Sequence, residues 1–319
     1  MPWTRVATSL HELEELRSAW EHLYDRGSYT VFQSFEWNRL AAHCFADRLQ
    51  PHVVCCQTGG GLALIPAAIT ASRGLTLLGE EMFDYRDLLW EGDEDAVRKA
   101  WEVLALLELP LSFHAVTAVS SAPWRGFELR PYASAPQVYA AATSAGQFVE
   151  EHPVLRRAWQ KLRRLGAVVR QHDGSAADVL RWICCQKSAE HTVGMSLFAD
   201  PQRADWLMSV AAADPAACGV FTLEIGSHIV AGVVTFLDFG VRRFYTIYYD
   251  RAWRARSPGN ALLFEVTRRS LEQELDCDYM TGEQPFKLRL ANGLLPLYRV
   301  HASAEQLAFR GQQFRLHAA

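Results

Sequence analysis

The sequence twice presents three short apolar runs separated by tight turns, which is the pattern of three consecutive antiparallel strands. In the first half of the chain these runs are His52–Cys56, Leu62–Ile69 and Leu75–Leu78. In the second half they are Gly219–Ile225, Ile229–Phe236 and Arg243–Tyr249. Such a set of strands must bury one face against other elements. The repetition therefore predicts two related units, each built on its own sheet.

Helical patterns precede each set of strands. In the first half, apolar residues at spacings of three and four predict amphipathic helices at His11–Leu23 and Phe35–Phe45. In the second half the same spacing predicts helices at Val154–Leu165, Ala176–Glu190 and Asp205–Ala212. Helices followed by strands, twice over, predict an α+β fold of two tandem units, each a mostly antiparallel mixed sheet flanked by helices.

Length and composition agree with two globular domains. The chain has 319 residues, of which 50% are hydrophobic and 21% charged, and domains usually contain about 100 to 200 residues. The uncharged segment Pro131–Val149 is typical of a linker, although Gln137–Ala141 also fits a closing strand of the first unit. We place the boundary near Gly146, with units at residues 1–146 and 147–319.

Charge is unevenly distributed along the chain. The formal net charge of −4 argues against a DNA-binding protein, because affinity for phosphates needs a surplus of clustered Lys and Arg. Residues 1–149 contain 11 Lys and Arg against 18 Asp and Glu, whereas residues 150–319 contain 21 against 18. The second unit is therefore the better place for an anionic ligand.

Cysteine usage and hydropathy indicate a cytoplasmic protein. The seven cysteines form no C-x-x-C motif and have no histidine at ligand spacing, so neither a disulfide framework nor a metal site is predicted. Charged residues within Met1–Leu16 argue against a secretory signal. The uncharged span Leu49–Ser72 is long enough to cross a bilayer, but Gly59–Gly61 and Pro66 interrupt it, so no membrane span is expected.

The strongest functional signal lies where a strand leads into a helix. The strand-like run Phe244–Tyr249 is followed by the basic loop Asp250–Arg256 and by a predicted helix, Asn260–Glu274. At a helix start the unpaired N–H groups and the helix dipole both favour a negatively charged ligand. This order therefore predicts an anion site.

Individual residues at this helix start have expected roles. Ser257 is expected to cap the helix, Pro258 to take its first position, and Gly259 to let a ligand approach the backbone. The predicted anion-binding residues are Arg254, Arg256, Ser257, Gly259, Asn260 and Ala261. The alternative is an ordinary capped helix start beside solvated arginines.

The order of strand, phosphate-type loop, helix, strand and short helix resembles the core of the GNAT acyltransferase superfamily. The closer likeness is to its branch of bacterial two-unit proteins, the CelD-like acetyltransferases related to Fem-type aminoacyltransferases. The likeness spans most of the chain but is specific only over residues 245–290. The residues that carry it are Tyr249-Asp250, Trp253, Ser257-Pro258-Gly259, Leu262-Leu263, Asp278, Thr281-Gly282-Glu283 and Phe286-Lys287.

This resemblance implies an enzyme that binds acetyl-CoA or another acyl-CoA as co-substrate, with its pyrophosphate on the predicted helix start, and that needs no metal. The commoner GNAT loop has Gln or Arg, two spacers and then Gly-x-Gly or Gly-x-Ala. Here Arg256 precedes Ser-Pro-Gly-Asn-Ala, which contains a single glycine. An acyl carrier or another activated donor is therefore kept as an alternative to CoA.

Acyl transfer needs a base for the attacking group and donors for the oxyanion that forms on the thioester carbonyl. The strand Phe244–Tyr249 can supply a backbone N–H, and the resemblance places a family lysine at Lys287, whose alternative is a structural ion pair. The base candidates are Asp250, Asp278 and Glu283, each of which could instead be a cap or a salt-bridge partner.

Three other side chains are candidates for proton transfer. His191 follows a predicted helix and carries the side chain best suited to proton transfer near neutral pH, with polar surface as its alternative. The phenols of Tyr248 and Tyr249 can protonate a leaving thiolate, although strand aromatics commonly belong to the core.

We therefore predict an N- or O-acyltransferase in which the acceptor attacks the thioester directly, since no activated nucleophile stands out. The resemblance suggests a small-molecule or glycan-precursor acceptor from cell-envelope or polysaccharide chemistry, held between the units, with the first unit on the acceptor side. Two alternatives stay open: transfer from aminoacyl-tRNA, which the overall acidity disfavours, and a non-catalytic, degenerate GNAT binding module.

Overall fold

The computed structural model describes residues 1–79, 82–120, 122–190 and 197–316. Their contacts form two compact units: unit 1 comprises Met1–Ala133 and Pro296–Ala319, and unit 2 comprises Ser134–Leu295. Both contain helices packed on mainly antiparallel strands, which confirms the predicted α+β class. No helix in the described ranges combines the length and apolar character needed to cross a bilayer.

The elements are numbered in chain order. The strands are β1 (Trp3–Ala7), β2 (Leu49–Pro51), β3 (Val53–Gln57), β4 (Gly61–Ile65), β5 (Ala67–Thr70), β6 (Leu75–Leu77), β7 (Leu89–Gly92), β8 (Leu111–Val116), β9 (Arg130–Val138), β10 (Ala167–Asp173), β11 (Cys218–Ile225), β12 (His228–Asp238), β13 (Val241–Tyr249), β14 (Asp276–Asp278) and β15 (Gly293–Ala302). The helices are α1 (Leu10–Arg26), α2 (Phe35–Cys44), α3 (Glu94–Ala105), α4 (Ala145–Glu151), α5 (Pro153–Arg164), α6 (Ala177–Glu190), α7 (Pro201–Ala213), α8 (Pro258–Leu271), α9 (Pro285–Leu288) and α10 (Ala304–Leu316).

In unit 1 the predicted three-stranded set is wrong in one respect. The run Leu62–Ile69 is divided at Pro66 into β4 and β5, because proline has no N–H to donate to a strand partner. β4 pairs with β3 and β7, whereas β5 pairs with β2 and β6. The predicted face of α1 is confirmed, since Leu13, Leu16, Trp20 and Leu23 are its buried residues.

In unit 2 the predicted set of three strands is confirmed. β11, β12 and β13 pair antiparallel in chain order, with Gly226 and Gly240 at positive φ in the two turns. β10 lies beside β11, while β14 runs parallel to β13 and is followed across the sheet by β9. α8 packs on this sheet and α5 packs on α8.

The division into units differs from the expected boundary near Gly146. The uncharged segment 131–149 is no open linker, because it contains part of β9 and of α4. Val138 and Gln137 of β9 pair with Cys277 and Asp278 of β14, so unit 2 starts earlier than expected. The chain returns to unit 1 from Pro296, where β15 pairs with β8. Composition identified the uncharged segment, but strand pairing decides where each unit ends.

Candidate functional site

Two neighbouring strands of unit 2 separate part-way along their length. β13 and β14 are paired only where Val241–Arg243 lies beside Asp276–Asp278. β14 then ends, whereas β13 continues to Tyr249. A bulge in β13 at Tyr245 accompanies this separation, since the register with β12 skips that residue. The part of β13 beyond Arg243 therefore has an edge that β14 does not cover, which we call the open edge.

The backbone of Ile247 and Tyr249 faces this open edge. The N–H of Asp250 donates to the carbonyl of Val230 on the β12 side, at 2.9 Å. Because successive residues of a strand direct their backbone groups to opposite sides, those of Tyr249 and Ile247 point away from β12. In agreement, the Ile247 carbonyl accepts a hydrogen bond from Nζ of Lys187, at 3.1 Å. The open edge thus offers backbone donors to a ligand.

A cavity of about 310 Å³ lies at this edge, beneath the start of α8. One side of its wall comes from β13 and the other from α8 and the turns beside it. The lining residues are Ile247, Tyr249, Arg254, Ser257, Gly259, Asn260, Leu263 and Phe286. The wall therefore combines apolar side chains with a helix N-terminus and one arginine, as a ligand with an apolar arm and an anionic group requires.

The start of α8 leaves two backbone donors for such a ligand. The N–H of Ser257 donates to Arg254, and that of Ala261 donates to the Ser257 carbonyl, at 3.0 and 3.1 Å. Pro258 has no N–H. Within the described residues, the N–H groups of Gly259 and Asn260 have no backbone acceptor. Two of the predicted binding residues thus offer donors, whereas Ala261 is fully buried and its N–H is used within the helix.

Ser257 does not cap α8 with its hydroxyl, so that expectation was wrong. Its backbone is left-handed, with φ 50° and ψ 51°, and its side chain makes no capping bond. A side chain that caps a helix normally comes from extended backbone, which aims its oxygen at the first N–H groups. A non-glycine residue at positive φ is strained by roughly 1–3 kcal/mol, and such strain is concentrated at ligand sites.

Gly259 allows α8 to lie close to β13. A Cβ atom at this position would stand 3.3 Å from Cδ1 of Tyr249, which is tighter than most Cβ contacts, and 3.5 Å from its Cβ, which is an ordinary van der Waals distance. A larger residue would therefore displace the Tyr249 ring, which forms part of the cavity wall. The expected close approach at Gly259 is thus made by a tyrosine of the same unit.

The two predicted arginines have different surroundings. Arg254 lines the cavity. The guanidinium of Arg256 instead lies over the ring of Trp253, 5.2 Å from its centroid, and is absent from the described cavity wall. A cation over an aromatic face is a stabilising contact in its own right. Only Arg254 is thus positioned to contact a ligand in the cavity.

Lys287 closes the turn that follows β14. Its Nζ donates to the carbonyls of Met280 and Thr281, at 3.2 and 2.8 Å. Met280 has φ 64° and Gly282 has φ 106°, so the ammonium group stabilises backbone in an unusual conformation. These contacts favour a structural role for Lys287, and its catalytic role stays a prediction.

The three predicted carboxylates differ in burial and in hydrogen-bond partners. Asp278 is fully buried and accepts from Nη1 of Arg243 at 2.6 Å and from the N–H of Met280 at 2.8 Å. Asp250 is half-buried and uses one oxygen to accept from the N–H of Ala252, at 2.8 Å. Glu283 is exposed. The contacts of Asp278 are those of a structural ion pair, so Asp250 and Glu283 are the better candidates for a base.

Tyr248 lies on the opposite face of the sheet from the cavity. Its ring packs edge-on against Trp182, with centroids 5.1 Å apart, and its hydroxyl donates to Oε1 of Gln186 at 3.2 Å. Because side chains alternate along a strand, Tyr249 faces the cavity instead. His191, the remaining predicted residue, lies outside the described residues.

Some residues at the site were missed by sequence reasoning. Lys187 contacts a strand 60 residues away in sequence, and no local pattern indicates such a contact. Ile247 and Phe286 carry no polar chemistry, yet both line the cavity. The alternation of β13 could have indicated Ile247 once the orientation of Tyr249 was known. In the described part of the chain, no cluster of three His, Cys, Asp or Glu side chains could hold a metal ion.

Residues 153–288 match a family model described as an acetyltransferase (GNAT) domain. This range includes every residue of the cavity wall. No curated protein sequence matches the chain at a significant level.

Several solved structures are similar to almost the whole chain. The C-terminal domain of a protein named as a lysylphosphatidylglycerol synthetase, from Agrobacterium fabrum, has a TM-score of 0.62 at 13% identity, over 96% of this chain and 97% of that chain. FemX has a TM-score of 0.59 at 7% identity, over 89% of this chain and 95% of that chain. A tandem GNAT protein from the clavulanic acid biosynthesis pathway has a TM-score of 0.52 at 9% identity, over 95% of this chain and 99% of that chain. At these identities the similarity shows a shared fold.

Proposed function

The chain contains a GNAT acetyltransferase domain at residues 153–288, and on that premise we propose that it transfers an acyl group from an acyl-CoA, in the first instance acetyl-CoA, to an amine or hydroxyl acceptor. The observation that carries the proposal is the cavity between the open edge of β13 and the start of α8. It offers backbone donors at two places, which suits a thioester with a phosphate at its far end.

The phosphate end of the donor would lie at the start of α8. The N–H groups of Gly259 and Asn260 and the helix dipole favour a negative charge there. Arg254 adds a full positive charge at the same end of the cavity. The apolar side chains of Leu263 and Phe286 would cover the arm between phosphate and thioester.

The thioester carbonyl would lie against the open edge. The N–H groups of Ile247 and Tyr249 face that edge, so either can donate to the oxyanion that develops when the acceptor attacks. A donor that is already oriented in this way typically contributes about 3 to 4 kcal/mol of transition-state stabilisation. The acceptor then gains the acyl group, and the CoA thiolate leaves.

Two proton transfers accompany this step. Asp250 directly follows Tyr249 and engages one carboxylate oxygen in capping the next turn, so its other oxygen is our first candidate to take the proton of the attacking group. The phenol of Tyr249 belongs to the cavity wall and can return a proton to the leaving thiolate. An acceptor from cell-envelope or polysaccharide chemistry stays an expectation from the family resemblance.

Calorimetric titration with acetyl-CoA tests this proposal. We expect the wild-type chain to bind acetyl-CoA and Gly259→Val to bind at least tenfold more weakly, because the new side chain displaces Tyr249. Gly59→Val is the matched control, since a Cβ at Gly59 meets nothing within 4 Å. Arg254→Gln provides a second variant that leaves packing unchanged. Absence of binding by the wild-type chain, or equal affinities in all four proteins, would overturn the proposal.

A further inference from the structure

One helix of unit 2 carries positive charges that form no ion pair with an acidic side chain in the described part of the chain. α5 places five exposed cations on its surface: Arg156, Arg157, Lys161, Arg163 and Arg164. We call this set the basic face. Among the described residues, none of the five lies within 4.0 Å of a carboxylate oxygen. Two other surface arginines of the unit do have such partners, as Arg170 has Glu224 and Arg181 has Asp178. The exposed Arg254, Arg256 and Arg289 have none among the described residues, but they do not form a continuous set on one helix.

The placement of some of these charges is unfavourable for the helix itself. Leu155 and Leu162 are buried against the unit, so Arg157, Lys161 and Arg164, at spacings of four and three, share an outward face. Like charges at this spacing repel one another by a few tenths of a kcal/mol. Arg156 and Arg157 also lie near the N-terminus of α5, where the helix dipole disfavours cations. The dipole does favour Lys161, Arg163 and Arg164, which lie in the last turn of α5. Helix stability therefore explains those three positions but not Arg156 and Arg157, whereas an acidic partner would offset all five charges.

The helix that carries the basic face packs on elements of the candidate site. α5 packs against α8 and against the 3₁₀ turn Arg251–Arg256, and these two elements provide the phosphate end of the cavity. Exposed apolar residues accompany the cations, since Val154 is 64%, Leu165 is 45% and Val168 is 50% exposed. A surface that mixes cations with small apolar groups suits an acidic protein better than the sugar-phosphate backbone of a nucleic acid.

The start of α8 offers a limited number of phosphate donors. Pro258 removes one N–H, and the neighbouring N–H groups of Ser257 and Ala261 are used within the chain, which leaves Gly259 and Asn260. Two backbone donors suffice for one phosphate group, and a second phosphate would depend on a side chain such as Arg254. CoA carries a diphosphate and a third phosphate on its ribose, whereas phosphopantetheine attached to a carrier protein carries one phosphodiester.

We propose that the basic face of α5 docks an acidic acyl carrier protein, whose phosphopantetheine arm delivers the acyl thioester to the cavity. This inference rests on the proposed function, because the same cavity receives the thioester and the same acceptor attacks it. The carrier keeps the arm and leaves with a free thiol. A helix of 12 residues spans about 18 Å, which is enough to face one acidic helix of a partner. Charge complementarity of this kind raises the association rate and makes binding sensitive to salt.

Binding measurements on the full chain test this inference. The probes are a bacterial acyl carrier protein in its apo and acetylated forms, acetyl-CoA, unfractionated tRNA, and vesicles of phosphatidylglycerol and phosphatidylcholine. The test variant is Arg157→Glu/Lys161→Glu. The control, Arg73→Glu/Arg299→Glu, makes the same change in net charge on exposed cations of unit 1. Far-ultraviolet circular dichroism checks that both variants are folded.

We expect the acetylated carrier to bind the wild-type chain more tightly than the apo carrier does, and to lose at least tenfold in affinity in the test variant but less than twofold in the control. Acetyl-CoA should bind both variants within twofold of wild type. The inference is overturned if acetyl-CoA loses affinity by the same factor as the carrier, since the basic face would then serve the phosphates of the nucleotide. It is also overturned if acetyl-CoA, tRNA or vesicles bind and the carrier does not. If neither thioester binds, the proposed function fails as well.

Discussion

The polar groups at the two ends of β13 differ in whether they already have hydrogen-bond partners. At the paired end, Arg243 is buried and its guanidinium donates to Asp238 at 2.7 Å and to Asp278 at 2.6 Å. At the open end, the backbone of Ile247 and Tyr249 faces an edge that β14 does not cover, beside a helix start where two N–H groups have no backbone acceptor among the described residues. Strand donors that no neighbouring strand uses, beside a cavity, are available to a ligand. The contrast separates residues that maintain the fold from residues that contact a substrate.

The largest expected effect is at the paired end. Arg243→Ala leaves Asp238 and Asp278 buried without their shared cation, and breaking a buried ion pair from one side costs about 3 to 5 kcal/mol. We expect urea denaturation to show a loss of this size in the free energy of unfolding. Arg254→Ala is the matched control, because this arginine borders a cavity, and it should change stability by less than about 1 kcal/mol. Equal losses of unfolding free energy in the two variants would contradict the difference between the paired and open ends of β13.

A closed polar centre in unit 1 extends the comparison. Asp87 is buried and accepts from Oγ1 of Thr117 at 2.6 Å and from Nε1 of Trp124 at 3.0 Å. Burial is the main cause that raises the pKa of Asp87 from 3.8 to about 6. Because the folded pKa lies above the unfolded one, this group's contribution to stability is complete below about pH 4 and is lost as the pH rises through 6.

The shift of Asp87 gives a testable pH dependence. It amounts to about 3 kcal/mol of unfolding free energy. We expect Asp87→Asn to lack this loss, so that its unfolding free energy falls less than that of wild type between pH 4 and pH 7. Asp47→Asn, at a carboxylate whose side chain is 58% exposed, should follow the wild-type curve. Parallel curves for Asp87→Asn and wild type would contradict the assigned pKa.

A smaller effect is expected at the open end. Arg254→Gln removes a cation from the cavity wall and should weaken acetyl-CoA binding about tenfold, or roughly 1.4 kcal/mol, with no change in the midpoint of urea denaturation. Arg256→Gln is the control, since Arg256 lies over Trp253, and it should bind acetyl-CoA within twofold of wild type. If Arg256→Gln loses more affinity than Arg254→Gln, our assignment of the two arginines is reversed.

The smallest effect distinguishes the two faces of the strand. Tyr248→Phe removes a hydroxyl that donates to Gln186, so it should cost about 1 kcal/mol of stability and leave acetyl-CoA affinity unchanged. Tyr249→Phe removes a hydroxyl from a residue of the cavity wall and should leave stability unchanged. Thermal melting and calorimetry of both variants check this pair of outcomes. A change in affinity for Tyr248→Phe alone would contradict the assigned faces.

Periodic local patterns predicted much of the fold. The buried face of α1 follows from apolar residues at spacings of three and four, and the strands β11 to β13 follow from apolar runs separated by turns. Neither pattern needs information from distant residues. The run of Ser257, Pro258 and Gly259 likewise indicated a helix start that now borders the cavity. These features are local, and local chemistry determines them.

Features that depend on distant partners were predicted less well. The role of Asp278 is determined by Arg243, 35 residues earlier in the chain. Pro66 marks the division between β4 and β5, but the different strands with which the two pair are distant in sequence. The left-handed backbone of Ser257 follows from its position between a 3₁₀ turn and α8. Contacts with residues elsewhere in the fold determine each of these features, and no periodic pattern in the sequence predicts such contacts.

The most direct test of the account is an amide NMR titration of the deuterated, ¹⁵N-labelled chain with acetyl-CoA. We predict that the largest chemical-shift changes fall on the backbone N–H groups of Gly259 and Asn260 and of Ile247 and Tyr249, while those of the paired end, Val241–Arg243, stay nearly unchanged. Shifts confined to unit 1, or of equal size at both ends of β13, would contradict the claim that the open edge is the donor site.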